Sequence, residues 1–321
     1  MTRRARVVAH ANFALAKYWG KADEVKMLPA TPSISLTLDQ LYTETTVELT
    51  EDPSVRSFSI DGKETENPTL SRYCDLLRER LSPDTGYRIQ THNQVGISMG
   101  LGSSASAYCS LAGAFWVASG RTINLDEISR LARLGSISAS RSVYPGFVLL
   151  DLSVNVECTP VMIKSHLPPF DVVSIIVDRS RKIISSRDGM KRAMTSPEYE
   201  SWLRYSKEST AKIKHFIYVG DLPSLGAEME SNFSFMDQVN QTSTPSFSYL
   251  NEDSLKVVAI VKSLREKGLS LWYTFDAGPN PFIICRPEVT ETLETEVLKL
   301  LPDASISRLS TGPGLEVTVV D

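Results

Sequence analysis

Apolar and polar positions divide the chain into alternating strand-like and helix-like stretches. Residues 5–16 (ARVVAHANFALA) and 33–49, which closes on the alternation TETTVEL, read as strands, and 55–61 as a short one ending at Asp61-Gly62. Residues 68–82 place Leu70, Tyr73, Leu76, Leu77 and Leu81 on one helical stripe. A strand at 86–93 then runs into a glycine-rich stretch, 96–102, and a helix of small residues from about 104 to 118. Asn124, with Glu127 three residues on, predicts the start of the next helix. Strands are expected at 146–152 and 156–164, with a break near His166-Leu-Pro-Pro169. Beyond it VVSIIVD (172–178) has the continuous apolar run of a buried strand. Helical patterns at 197–219, 221–237 and 253–267 follow, the last ended by Gly268. Strands at 270–276 and 281–286, a helix at 288–301 and a strand at 314–320 complete the chain. The alternation predicts an α+β fold, with helices packed on sheets in both halves.

Composition narrows the function. With 321 residues, the chain is long enough for two domains, expected at 1–169 and 170–321. Its apolar fraction of 42% suffices for a full core. A net charge of −4 and a pI near 5.7 argue against a general nucleic-acid partner, so an anionic ligand would need local clusters of Lys and Arg. Cys74, Cys109, Cys158 and Cys285 are scattered without a CxxC pair, which disfavours zinc and fits a reducing, cytoplasmic setting. No signal-peptide core follows the N-terminal arginines, and no run of 18 apolar residues suggests a membrane span.

Four segments carry candidate chemistry. Gly100-Leu101-Gly102-Ser103-Ser104-Ala105-Ser106 sits between a strand and a helix, where free N–H groups and the helix dipole favour a phosphate. It is neither a Walker A nor a GxGxxG motif, and a glycine turn that merely opens a helix is the other reading. Lys17-Tyr18-Trp19-Gly20-Lys21 can bring two ammonium groups to one site; taken alone, solvated lysines beside a core tryptophan are the better account. Arg141, among Ser136, Ser138, Ser140 and Ser142, either pairs with a carboxylate or phosphate or ends a helix whose serines bond their own backbone. Asp276, at a strand end before Ala-Gly-Pro-Asn280, is held by turn chemistry; alone it reads as a turn cap.

Together these segments resemble one family. ANFALAKYWGK (11–21), PATPSISLTLD (29–39), NQVGISMGLGSSAS (93–106), ARLGSISASRSVYPGF (132–147), SSRDGM (185–190), TSTPSFSYL (242–250) and TFDAGPN (274–280) occur in the order found in the diphosphomevalonate decarboxylases. These belong to the GHMP kinase superfamily (galactokinase, homoserine kinase, mevalonate kinase, phosphomevalonate kinase). The resemblance spans nearly the whole chain. It implies a two-domain GHMP-kinase-like fold with a deep cleft, and ATP-dependent decarboxylation of mevalonate 5-diphosphate. It assigns catalysis to Asp276, Lys17 and Arg141, and substrate binding to Tyr18, Lys21, Arg72, Ser136 and Ser138. It assigns ATP to Asn93, Gly100, Leu101, Gly102, Ser103, Ser104, Ser106, Ser185 and Ser186, with Mg²⁺ on the phosphates and Ser104 or Ser106 as its nearest hydroxyls. A homodimer is implied as well. The sequence departs from the family pattern at Gly96, Ile137, Ser140, Pro145, Asp188 and Met236-Asp237-Gln238. These changes leave open a 5-phosphomevalonate substrate, the runner-up; a non-catalytic ligand-binding relative is the third reading. Retention of Asp276 and Lys17 favours a decarboxylase.

Overall fold

The computed structural model describes residues 3–94, 103–154, 157–180 and 183–319. Its first half follows the predicted pattern. Strands β1 (Arg4–Ala16), β2 (Lys21–Asp23), β3 (Leu28–Pro29), β4 (Ser33–Thr50), β5 (Arg56–Ile60) and β6 (Lys63–Glu64) precede helix α1 (Pro68–Leu81). Then come β7 (Gly86–Asn93), α2 (Ser103–Ala118), α3 (Leu125–Gly135), a 3-10 helix at Ile137–Val143, β8 (Phe147–Leu150) and β9 (Val161–Ile163). The second half runs β10 (Asp171–Ile176), α4 (Ser186–Ala193), α5 (Tyr199–Val219), α6 (Leu222–Gln241), α7 (Glu252–Glu266), β11 (Leu271–Phe275) and β12 (Pro281–Cys285). It closes with α8 (Thr290–Leu300), β13 (Ser305–Leu309) and β14 (Glu316–Val319).

Asn124 caps α3 as expected, its side chain accepting from the Glu127 N–H at 3.1 Å. The strand expected over 156–164 shortens to Val161–Ile163. The β2–β3 hairpin, the 3-10 helix, α4 and β13 were not expected. Each is short and lacks a full turn-by-turn apolar stripe or a long alternation.

β14, β1, β4, β7, β5 and β6 lie in that order in one sheet, with β8 paired to β4 and β9 to β8. Only the β5–β7 pairing is parallel among these described strands. The second sheet, β11-β12-β10-β13, is antiparallel throughout. The last strand therefore crosses back to pair with the first.

Burial along β1 explains how the halves join. Its start alternates exposed and buried, as for a sheet with one wet face, but from Ala9 onward every residue is buried. Ala11, Phe13 and Leu15 share a core with Ile213, Ile217, Leu225, Met229 and Trp272 from the second half. α5 and α6 thus cover the face of β1 that would otherwise meet water. Gly226 lets α6 come close: a Cβ there would lie 2.1 Å from the Trp272 ring. No helix of the described residues is long and apolar enough to cross a membrane.

Candidate active site

β1 changes register against β4 between His10 and Asn12 and again between Ala14 and Ala16. Such bulges re-aim side chains next to sites. Beyond Ala16 the chain leaves the ladder and turns at Gly20, whose φ of +117° suits glycine. This geometry turns Lys17 inward. It is 3% exposed, and its Nζ donates to Asp276 Oδ1 at 2.8 Å and to Ala14 O at 2.6 Å. The solvated account of Lys17 is overturned. Burial pushes its ammonium pKa down, against the raising effect of Asp276, and nearby Arg141 lowers it further.

Asp276 sits just past β11 on a turn held from several sides. Gly278 N donates to Asp276 O, Ser254 Oγ to Pro279 O, and Asn280 Oδ1 accepts from the N–H groups of Val177 and Asp178. The Asp276 side chain also accepts from Ala14 N at 3.4 Å. A residue near each end of the chain thereby meets across the two halves.

Arg141, on the 3-10 helix, is fully buried. Its Nε donates to Ser35 Oγ, Nη1 to Ser33 Oγ (both 2.8 Å) and Nη2 to Asn12 Oδ1 (3.1 Å). The guanidinium also lies 5.7 Å from the centre of the Tyr18 ring. All three acceptors are neutral, and three bonds leave two of the five guanidinium N–H groups for a further acceptor. Burial lowers the pKa of Arg141 and raises that of the Tyr18 phenol. Among the described residues its hydrogen-bond partners are neutral oxygens, an arrangement suited to an anion.

These groups line one cavity of about 320 Å³, together with Lys21, Ser104, Ser136, Ser138, Ser185 and Ser186. Among the described residues its charged walls are Lys17, Lys21, Arg141 and Arg187 against the single acid Asp276. A protein of net charge −4 thus holds a strongly positive pocket. Ser136 and Ser138 hydroxyls bond each other at 3.0 Å, and Lys21 Nζ rests 3.3 Å from Met27 Sδ. Burial lowers the Lys21 pKa, and Arg187 adds to the effect.

Three of the expected site residues are not brought there. Arg72 stands exposed on α1 and donates to Pro68 O of its own helix. Ser106 is buried on the sheet side of α2, its hydroxyl 2.8 Å from Thr43 Oγ1. Asn93 Oδ1 accepts from the same Thr43 hydroxyl, which ties it to the sheet. Gly100, Leu101 and Gly102, and the departure at Gly96, lie outside the described residues, as does the side chain of Ser103. Sequence reasoning missed Asn12 and Arg187. Asn12 had a signal, as a polar residue in an apolar strand, whereas Arg187 sits in a polar run without one.

Comparison with known proteins decides the family. Residues 9–157 match the diphosphomevalonate decarboxylase-like N-terminal domain, and 172–314 the mevalonate 5-diphosphate decarboxylase C-terminal domain. Diphosphomevalonate decarboxylase of Debaryomyces hansenii is 31% identical over 310 residues, covering 87% of this chain and 79% of that one. The chain belongs to the diphosphomevalonate decarboxylase family. The solved structure of mevalonate diphosphate decarboxylase from Staphylococcus aureus has a TM-score of 0.92 at 34% identity, over 98% of both chains. The solved complex of MDDEF with MVAPP, AMPPCP and magnesium has a TM-score of 0.93 at 33% identity, over 99% of both. The GHMP-kinase-like α+β fold expected from the motifs is the observed one.

Against the decarboxylase pattern the departures now have positions. Ile137 is buried against Met27, Leu150 and Cys158 and does line the cavity. Ser140 spends its hydroxyl on Ile137 O within the 3-10 helix. Pro145 is exposed and outside the cavity. Asp188 lies in the first turn of α4, its N–H donating to the capping Ser185 Oγ at 3.1 Å and its Oδ2 accepting from that hydroxyl at 2.6 Å. Asp237 is buried and bonded to Ser248 and Gln241, while Met236 beside it lines the cavity.

Proposed function

We propose that the cavity carries out ATP-dependent decarboxylation of mevalonate 5-diphosphate, giving isopentenyl diphosphate, CO2, ADP and phosphate. The observation that carries this reading is the Lys17–Asp276 pair on the wall of a pocket whose other charged residues, among those described, are cations. A tertiary alcohol is a poor nucleophile, and a carboxylate beside a cation is the equipment its phosphorylation needs.

The donor set fits a polyphosphate. Ser104 lies in the first turn of α2, and Ser185 and Ser186 at the start of α4. With the N–H groups of α2 and the Arg187 cation they would hold the nucleotide phosphates. Mg²⁺ would ride on the nucleotide phosphates, with the Ser104 hydroxyl at the cavity wall beside them. When bound, it would neutralise their charge. Lys21, Tyr18, Ser136 and Ser138 would take the substrate's diphosphate, and Arg141 its carboxylate.

In this reading Asp276 accepts the 3-hydroxyl proton as that oxygen receives the phosphoryl group, and Lys17 steadies the charge beside it. The carbon–oxygen bond then breaks and its electrons leave with phosphate. Arg141 orients the carboxylate so that the electrons of the breaking carbon–carbon bond form the double bond and CO2 departs. The same reading treats 1–169 and 170–321 as two domains walling the cleft, and the active species as a cytoplasmic homodimer. Four buried free thiols support the reducing compartment.

The test is purified protein with Mg²⁺-ATP and either mevalonate 5-diphosphate or 5-phosphate, scoring CO2 and ADP. Equal yields of both products from the diphosphate are expected. Turnover of the monophosphate alone overturns the choice of substrate.

A further inference from the structure

Lys17 is the first residue past β1, so its backbone N–H and C=O have left the strand ladder and, being buried, need partners. Both come from the other half of the chain. Asn232 Oδ1 on α6 accepts from Lys17 N at 2.8 Å, and Ser206 Oγ on α5 donates to Lys17 O at 3.3 Å. Asn232 is fully buried, and its Nδ2 donates to Ser209 Oγ at 2.9 Å, which fixes the amide with its oxygen toward Lys17. Two residues earlier on the same helix, Glu230 Oε1 accepts from Tyr273 N at 3.0 Å, and its other oxygen is tied to Arg265. Tyr273 precedes Asp276 by three residues. One helix therefore grips the backbone beneath both members of the Lys17–Asp276 pair, from different faces.

We propose that Asn232 is a positioning residue for the reaction: through the Lys17 backbone it sets the lysine ammonium against Asp276, with α6 as the common support for both. This rests on the functional reading above. Without the Asn232 oxygen the Lys17 N–H loses its bond to α6, while the Trp19 ring keeps its own to Asn240 of the same helix, and the ammonium loses its fixed distance from the carboxylate. Misplacement of about 1 Å at a reacting centre costs on the order of a hundredfold in rate.

The test is Asn232→Ala made in the native protein and in a Lys17→Ala background. In the native background kcat should fall by about tenfold to a hundredfold, with the KM for ATP within about twofold. In the Lys17→Ala background the same change should leave the residual kcat where it was, because Asn232 acts only through Lys17. Acylation of Lys17 in the ligand-free protein, followed by mass spectrometry, should be faster in Asn232→Ala. Equal losses of kcat in the two backgrounds, an unchanged kcat in the single variant, or an unchanged acylation rate overturns the proposal. Should Asn232→Ala not fold, Ser209→Ala, which frees the amide without removing it, is read by the same criteria. A native protein that does not turn over mevalonate 5-diphosphate strikes the functional reading instead, and the acylation rate alone then decides the role of Asn232.

Discussion

Arg141 shows how much a single side chain is asked to do. Its three nitrogens each bond a different neutral oxygen, on Ser35, Ser33 and Asn12. An ammonium cannot match that fork, so Arg141→Lys is expected to fall in kcat even though the charge is kept; steady-state kinetics check this, and an unaltered kcat would refute the orienting role. Lys21 has the opposite profile. It lies at the cavity wall without touching Asp276, so Lys21→Ala should raise the KM for the mevalonate substrate by about tenfold or more and leave kcat nearly intact. At this scale legibility was uneven. Asp276 and Lys17 were visible as motifs, but each alone read more plausibly as a turn cap and a surface lysine. Their 2.8 Å contact spans 259 positions, and no spacing rule reaches that far. Arg72 and Asn93 were assigned by resemblance and Ser106 also as a hydroxyl of the glycine-serine loop, while the directions of their side chains depended on α1, β7 and α2.

α6 is the element on which the site hangs, and its N-terminus and packing face give two further checks. Asp221 caps it, accepting from Ser224 N at 3.0 Å. That bond holds the Asp221 carboxyl below its ordinary value of 3.8. The unfolded chain therefore binds its proton more readily, and the contribution to stability is present above about pH 4 and is lost as pH falls below it. Asp221→Ala is expected to lower stability by about 1 kcal/mol at pH 7, with a smaller difference near pH 3, measured by denaturant melts. Gly226 is the point of closest approach to Trp272, so Gly226→Ala should destabilise by about 1–3 kcal/mol through overpacking. Long elements such as α5, α6 and β4 were readable because their apolar periodicity runs for many residues. α4 was not: SRDGMKRA has one strongly apolar side chain, and its start depends on a Ser185 cap. β13, SISRL, is half polar and is a strand because β10 lies beside it.

At the scale of the whole molecule, the two halves are neither separate nor merely adjacent. β14 closes the first sheet against β1, and a shared core lies under α5 and α6. The sequence could not announce that return, since a four-residue strand carries no record of its partner. The four cysteines fit this closed interior: all are buried, and burial pushes the Cys285 thiol up to about 11. A thiol reagent at pH 8 should therefore label none of them in the native state and all four after unfolding; rapid native labelling would contradict the packing. The central claim is that a carboxylate from one half and an ammonium from the other make the reaction centre. It is tested most directly by Asp276→Asn, measured for kcat with mevalonate 5-diphosphate and for nucleotide binding in the same preparation. The structure predicts a loss of about a hundredfold to ten-thousandfold in kcat with nucleotide affinity nearly unchanged. A variant that turns over at the native rate would contradict it.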